Sequence, residues 1–246
     1  MTSGNRDIIQ VSDAEALAEN AAHCLVARIE ARPNPAICLT GGSSPKRLYQ
    51  LLAEEPYRSR IPWHQAHWFI GDDRFVSLDD PLSNMGMAQR LFLDRCAPPD
   101  HIHPMPTDVA TPDAVAALYA TTLKTFYGAE HIDPTRPLFD IVLMGLGPDG
   151  HTASLFPGDG AVEETNRWVV GVDKAHVEPF VPRVTLTLPT LAACHEMLFL
   201  VSGGDKRDIL ARVLSDPTLP AARTRSLNKT TWLVDTAAMP EPNHAG

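Results

Sequence analysis

The sequence predicts an α/β fold built on a largely parallel sheet. Short apolar runs of strand length alternate with stretches of helical periodicity, the pattern of strand–helix–strand units. Several of those runs end directly in glycine-rich turns. The chain is also long enough for a substantial core: 246 residues, 44% of them apolar and 21% charged. In an open parallel sheet the carboxyl ends of the strands share one edge, and ligands bind there.

Ser12-Asp-Ala-Glu15 reads as a capping box opening a helix toward Arg32, with Ala18, Ala21, Ala22, Leu25 and Ile29 as its apolar stripe. Pro33 and Pro35 stop it. Ala36 to Thr40 is a short buried strand, followed by Gly41-Gly-Ser-Ser-Pro45 and a helix through Leu52, with Pro45 in the first turn and either serine as N-cap. Ala66 to Ile70 is a second strand, ending in Gly71-Asp-Asp-Arg74. Asn84 to Cys96 and Pro112 to Tyr127 are helical, with a run of undefined type at His101 to Met105 between them. Strands follow at 139–144, 168–172, 183–188 and 197–201, the last running into Ser202-Gly-Gly-Asp-Lys206. A helix over 205–214 and a strand over 231–234 complete one catalytic α/β domain at 1–238, and 239–246, with Pro240, Pro242 and Gly246, reads as a loose tail.

The net charge of −9 argues against a nucleic-acid binder, and any anionic ligand must be caught by local basic groups and backbone N–H donors. No apolar run approaches the roughly 18 residues of a membrane span, and the N-terminal residues lack the apolar core of a signal peptide. Cys24, Cys38, Cys96 and Cys194 form no C-x-x-C pair. These features fit a cytoplasmic protein without membrane or nucleic-acid partners.

Four loops follow predicted strands directly, Gly41–Pro45, Gly71–Arg74, Gly145–His151 and Ser202–Lys206, and should converge on one cleft. The third is the most informative. An apolar strand ends in Gly145-Leu-Gly-Pro-Asp-Gly-His151, which delivers an acid, Asp149, beside an imidazole, His151. An unperturbed imidazole titrates near roughly 6.5, so it can take a proton near neutral pH. The same residues fit G-x-G-x-x-G, but Pro157, Gly158 and Gly160 break the crossover helix that a dinucleotide fold needs. Gly41-Gly42-Ser43-Ser44 has the composition of an anion cradle at a helix start, or equally of a plain serine-capped turn. Ser202–Lys206 repeats that logic and adds an ammonium, which favours a phosphate ligand. Arg74, at a strand end beside Asp72 and Asp73, is read as a functional guanidinium rather than a surface ion pair, and it should lower the pKa of those carboxyls. His64-x-x-His67 and His101-x-His103 lack partners at recognised zinc spacing, so no metal site is assigned. His195 is read as a partner for a helix C-terminus. Ser154 lacks the nucleophile elbow of a hydrolase.

Assembled in order over roughly residues 8–236, these segments resemble the 6-phosphogluconolactonases, which belong with the glucosamine-6-phosphate deaminases. The carrying motifs are Leu39-Thr-Gly-Gly-Ser-Ser-Pro45, Gly71-Asp-Asp-Arg74, Asp80-Pro-Leu-Ser-Asn84, Gly145 to Pro157 and Ser202-Gly-Gly-Asp-Lys206. The family usually has Asp-Glu-Arg where this chain has Asp72-Asp73-Arg74, a shortening that bears on how Arg74 is held. The resemblance implies a three-layer α/β/α sandwich, Rossmann-like but not dinucleotide-binding, and cofactor-free hydrolysis of 6-phospho-D-glucono-1,5-lactone. It implies His151 as general base, with Asp149 orienting the imidazole or contacting sugar hydroxyls. Arg74 stabilises the oxyanion or binds phosphate. Lys206, Ser43 and the glycine N–H groups hold the phosphate, with Ser44 and Asp72 among the substrate-binding residues. A deaminase typically has Asp-Glu-Tyr at the second strand end and Ile-Ala-Phe-Asn after the histidine turn. Asp-Asp-Arg and Thr152-Ala-Ser-Leu-Phe156 stand here instead. A non-catalytic sugar-phosphate sensor would need a DNA-binding helical module, for which the single helix predicted before the first strand leaves no room.

Overall fold

The computed structural model describes residues 6–241, so most of the tail expected at 239–246 lies outside the described residues. In chain order the elements are β1 (Arg6–Val11), α1 (Ala14–Glu30), β2 (Ala36–Leu39), α2 (Pro45–Leu52), α3 (Tyr57–Arg60), β3 (His67–Ile70) and β4 (Asp72–Arg74). There follow α4 (Asn84–Ala88), a π-helical turn at Gln89–Leu93, α5 (Asp94–Cys96), α6 (Pro112–Tyr127), β5 (Phe139–Met144), β6 (Val169–Val172) and β7 (Arg183–Leu186). The chain closes with α7 (Leu188–Ala192), β8 (Cys194–Val201), α8 (Arg207–Ser215), α9 (Pro220–Arg223) and β9 (Lys229–Asp235).

Six strands form one sheet in the order β1-β9-β8-β5-β2-β3, every pair parallel. β5 lies inside it and all six of its residues are buried. A parallel strand covered on both faces reads as a continuous apolar run rather than an alternating one, which is why it was legible. Its one acid, Asp140, accepts from the Ala36 backbone N–H at 2.9 Å and from Arg32 at 3.1 Å, tying the end of α1 and the start of β2 to β5. α1 packs on β5, β8 and β9 and against α2, with Ala21, Ala22, Leu25, Val26 and Ile29 wholly buried.

Two buried tyrosines finish the strand ends that lead into the loops. Tyr49 of α2 accepts from the Thr40 N–H at 3.0 Å and donates to its carbonyl at 2.7 Å. Tyr119 of α6 does the same for Ile70, at 3.0 and 3.2 Å. Buried backbone groups beyond a ladder need such partners, and here they fix where each loop begins.

Several sequence expectations are corrected. A strand, β1, precedes the first helix; it is the sheet's edge, with Ile8, Ile9 and Gln10 exposed, and so carries no burial pattern. The N-cap of α1 is Asp13, which accepts from Ala16 N–H at 2.9 Å, rather than Ser12, whose hydroxyl donates to Asp13. The expected strands at 168–172 and 183–188 do not join the parallel sheet. They are β6 and β7, which with β4 make a separate antiparallel sheet in the order β4-β7-β6, and α6 packs on β6 and β7. His195 sits in β8, beyond the end of α7, and burial lowers its pKa. His67 and His103 hydrogen-bond at 3.0 Å and stack with His101 and Phe69. They lie at the amino end of β3, remote from the loops, and burial pushes His103 down to about 4. Among the described residues no helix is long and apolar enough to cross a membrane.

Candidate active site

The four strand-end loops do meet. They border one cleft of about 330 Å³, lined by Gly41, Gly42, Ser43, Ser44, Asp72, Arg74, Gly145, Gly147, His151 and Lys206 among others. That volume lies within the usual range of small-molecule sites. Of the catalytic and substrate-binding residues expected from sequence, Asp149 alone is not on the cleft wall.

Asp149 stands behind His151 instead. Its Oδ1 is 2.5 Å from His151 Nδ1 and accepts the His151 backbone N–H at 3.0 Å. Burial by itself would raise the Asp149 carboxyl, but the His151 ring and backbone N–H bonds more than offset it and hold it below its ordinary value. A carboxylate accepts only, so this bond makes Nδ1 the protonated nitrogen and leaves Nε2 as the proton acceptor. The turn is built around the ring. A Cβ on Gly147 would stand 2.0 Å from His151 Cε1, and the Gly147 N–H donates to the His151 carbonyl at 2.9 Å. Thr152 donates to the Gly145 carbonyl at 2.8 Å, closing the loop onto β5. The buried ring of Phe156 packs 4.8 Å from the imidazole, centre to centre.

The acidic run at β4 divides by the two-residue period of a strand. Asp72 and Arg74 face the cleft, while Asp73 faces the start of α4. Asp73 accepts the backbone N–H groups of Arg74 (2.8 Å), Asn84 (2.6 Å) and Met85 (3.0 Å) and the Ser83 hydroxyl (3.1 Å). Burial nevertheless pushes its carboxyl up to about 6, against the backbone bonds that favour the charge. The expectation that the Arg74 guanidinium lowers this carboxyl is therefore wrong: the guanidinium turns away, donating to the Leu82 carbonyl and Asn84 Oδ1, both at 2.7 Å. Asn84 in turn donates to the Asp72 carbonyl at 3.0 Å and fills the space beside Gly41, where a Cβ would stand 2.0 Å from its side-chain oxygen. Asp72 is buried and accepts from the Ser154 hydroxyl at 2.6 Å.

Asp73 thus holds four donors, and Asp73→Ala would strand them in a buried site. Each unpaired buried donor costs about 1–3 kcal/mol, partly offset by removing a poorly solvated carboxylate. Denaturant unfolding is expected to show a loss of about 3 kcal/mol or more; a loss below about 1 kcal/mol would contradict this role.

On the phosphate side of the prediction, Ser44 is the N-cap of α2 but makes no side-chain capping bond. Lys206 ends a 3-10 turn at Gly204–Lys206, so α8 starts at Arg207, slightly later than expected. Its Nζ lies 3.7 Å from the exposed Asp205 carboxylate. The turn is anchored by Asp235, which accepts from the Ser202 hydroxyl at 2.5 Å and the Gly203 N–H at 3.0 Å.

Sequence reasoning gave no role to Asn84, Ser154, Glu178 or Arg183, all of which touch the cleft or its lining residues. Asn84 stood inside a recognised segment, and Arg183 opened a predicted strand. The place of Arg183 on the cleft depends on the pairing of β7 with β4, and that of Asn84 on its bonds to Arg74 and the Asp72 carbonyl, neither of which local pattern reveals.

The family profile described as glucosamine-6-phosphate isomerases/6-phosphogluconolactonase matches residues 11–232. A 6-phosphogluconolactonase of Synechocystis is 38% identical over 233 residues, covering 90% of this chain and 92% of the relative. One from Streptomyces coelicolor is 37% identical, covering 92% and 90%. The solved structure of 6-phosphogluconolactonase from Trypanosoma cruzi superposes with a TM-score of 0.84 at 30% identity, over 96% of this chain and 97% of that one. A monomeric glucosamine-6-phosphate deaminase superposes at 0.80 with 18% identity, covering 94% and 98%, which shows a shared fold.

Proposed function

The chain belongs to the glucosamine-6-phosphate isomerase/6-phosphogluconolactonase family, and from that premise we propose that it hydrolyses 6-phospho-D-glucono-1,5-lactone to 6-phospho-D-gluconate. The observation that carries this reading is the Asp149–His151 pair, with His151 on the wall of a cleft that also presents Arg74, Lys206 and the Gly41–Ser44 turn. The names and identities of the curated relatives favour the lactonase over the deaminase.

His151 Nε2 takes a proton from water as the oxygen attacks the lactone carbonyl carbon. The carbonyl oxygen gains negative charge, which the Arg74 guanidinium stabilises across the cleft. The tetrahedral intermediate then expels the ring oxygen, which receives the proton from the imidazolium. One water is consumed, one C–O bond breaks, and a hydroxyl and a carboxylic acid are left, the acid then losing its proton to solvent as the carboxylate forms. Asp149 orients the imidazole and supports its transient charge. Lys206, the hydroxyls of Ser43 and Ser44 and the N–H groups of Gly41 and Gly42 hold the phosphate, which fixes the reacting carbon relative to His151. Asp72 and Asn84 line the space between, where sugar hydroxyls need polar partners.

Purified protein is expected to accelerate loss of the phosphorylated lactone above its spontaneous hydrolysis; no acceleration would contradict the proposal. Lys206→Ala is expected to raise KM about 10- to 100-fold, the equivalent of one charge-assisted hydrogen bond at roughly 1.5–3 kcal/mol, with kcat little changed. An unchanged KM would move the phosphate elsewhere in the cleft.

A further inference from the structure

Arg74 and Arg183 are register partners in the antiparallel pair β4–β7. Partners in such a pair project from the same face of the sheet, and both line the cleft. Like charges directly opposite one another destabilise a sheet, and a buried charge is costly unless paired. Yet among the described residues neither guanidinium lies within ion-pair distance of a carboxylate: Arg74 is held by Leu82 and Asn84, and Arg183 by the Pro179 carbonyl at 2.9 Å. Asp72, on the same face, is occupied by Ser154, and Asp73 faces α4. Arg183 is 3% exposed, and the Nε–H donors of both arginines are buried without a partner.

The pair belongs to the reacting end of the cleft. The Arg183 guanidinium carbon lies 5.9 Å from the centre of the Phe156 ring, and that same ring packs against His151. Lys206 enters the cleft from the turn after β8, and its ion-pair partner is Asp205. The cleft thus draws its cations from two parts of the fold, one ammonium from the turn after β8 and a guanidinium pair from the β4–β7 sheet.

We propose that Arg183 is a substrate-binding residue that, paired with Arg74, receives the C1 oxygens: the lactone carbonyl as it becomes an oxyanion, and the carboxylate of the product. This rests on the lactonase reading and adds to it the group that meets the C1 end. The anion that forms there gives two facing guanidiniums, otherwise held only by neutral oxygens, a charged partner.

The test compares two open-chain ligands that share the phosphate and differ at C1: 6-phosphogluconate, with a carboxylate, and glucitol 6-phosphate, with a neutral hydroxymethyl group. Equilibrium binding is measured for the parent protein, Arg183→Gln and Arg183→Lys. The parent is expected to favour the carboxylate ligand by about 10-fold or more, the size of one charge-assisted hydrogen bond. Arg183→Gln is expected to lose most of that preference while binding glucitol 6-phosphate within a few-fold of the parent, and Arg183→Lys to keep part of it. An Arg183→Gln protein that retains the preference, or that weakens both ligands equally, overturns the proposal and leaves the arginine a structural part of the wall. Failure of the parent protein to bind either phosphate overturns the lactonase reading itself, a separate and recognisable result.

Discussion

Replacing His151 by alanine is expected to lower kcat for lactone hydrolysis by about two to four orders of magnitude, the usual contribution of a positioned general base. The imidazole is the only ring nitrogen base on the cleft wall among the described residues, and its Nδ1 is committed to Asp149, so removing it takes away the one imidazole that could take the water proton. Folding should survive, because the ring contacts its own turn and one face of Phe156 rather than the sheet core. The measurement is kcat at saturating lactone, corrected for spontaneous opening, beside a thermal unfolding curve. A folded variant working at the parent rate would remove His151 from the chemistry.

The second large effect is expected from Asp149→Asn, a change that keeps shape and loses only charge and acceptor character. The amide can donate to Nδ1, and it then stabilises the tautomer with the proton on Nε2, which cannot accept one from water. The carboxylate also supports the imidazolium during turnover. A fall in kcat of about two orders of magnitude or more is expected, with KM little changed, since Asp149 does not line the cleft. Because the two residues act as a unit, the double variant with His151→Ala should be no slower than His151→Ala alone. If Asp149→Asn instead raises KM at constant kcat, the acid contacts the sugar and does not orient the base.

The parts that were legible in the sequence share a physical origin. β5 and β2 are buried on both faces, so composition alone marks them, and the strand-end turns are marked by glycines that the structure requires. Gly147 makes room for the imidazole and Gly41 for the Asn84 amide. The convergence of four distant loops followed from parallel topology, without any contact being known. What stayed hidden lies where local pattern carries no information. β1 is an exposed edge whose partner β9 lies at the other end of the chain. β4 is three residues long, all charged, and exists as a strand only because β7, about a hundred residues later, pairs with it. That pairing sends Asp73 to the α4 N-terminus and opposes Arg74 to Arg183, so the roles of Asn84 and Arg183 depended on a sheet that local pattern could not reveal.

The central claim concerns reaction class, since the same fold also carries amino-sugar phosphate deamination. Deamination needs a carboxylate poised to take a proton from sugar C2. Here Asp72 is tied to Ser154, and the two guanidiniums of β4 and β7 line the same cleft, which the proposed function assigns to the tetrahedral oxyanion. The most direct measurement pairs two assays on one preparation, loss of 6-phosphogluconolactone above its spontaneous rate and release of ammonia from glucosamine 6-phosphate. Accelerated lactone opening without ammonia is the expected result, and ammonia release without accelerated lactone opening would contradict it.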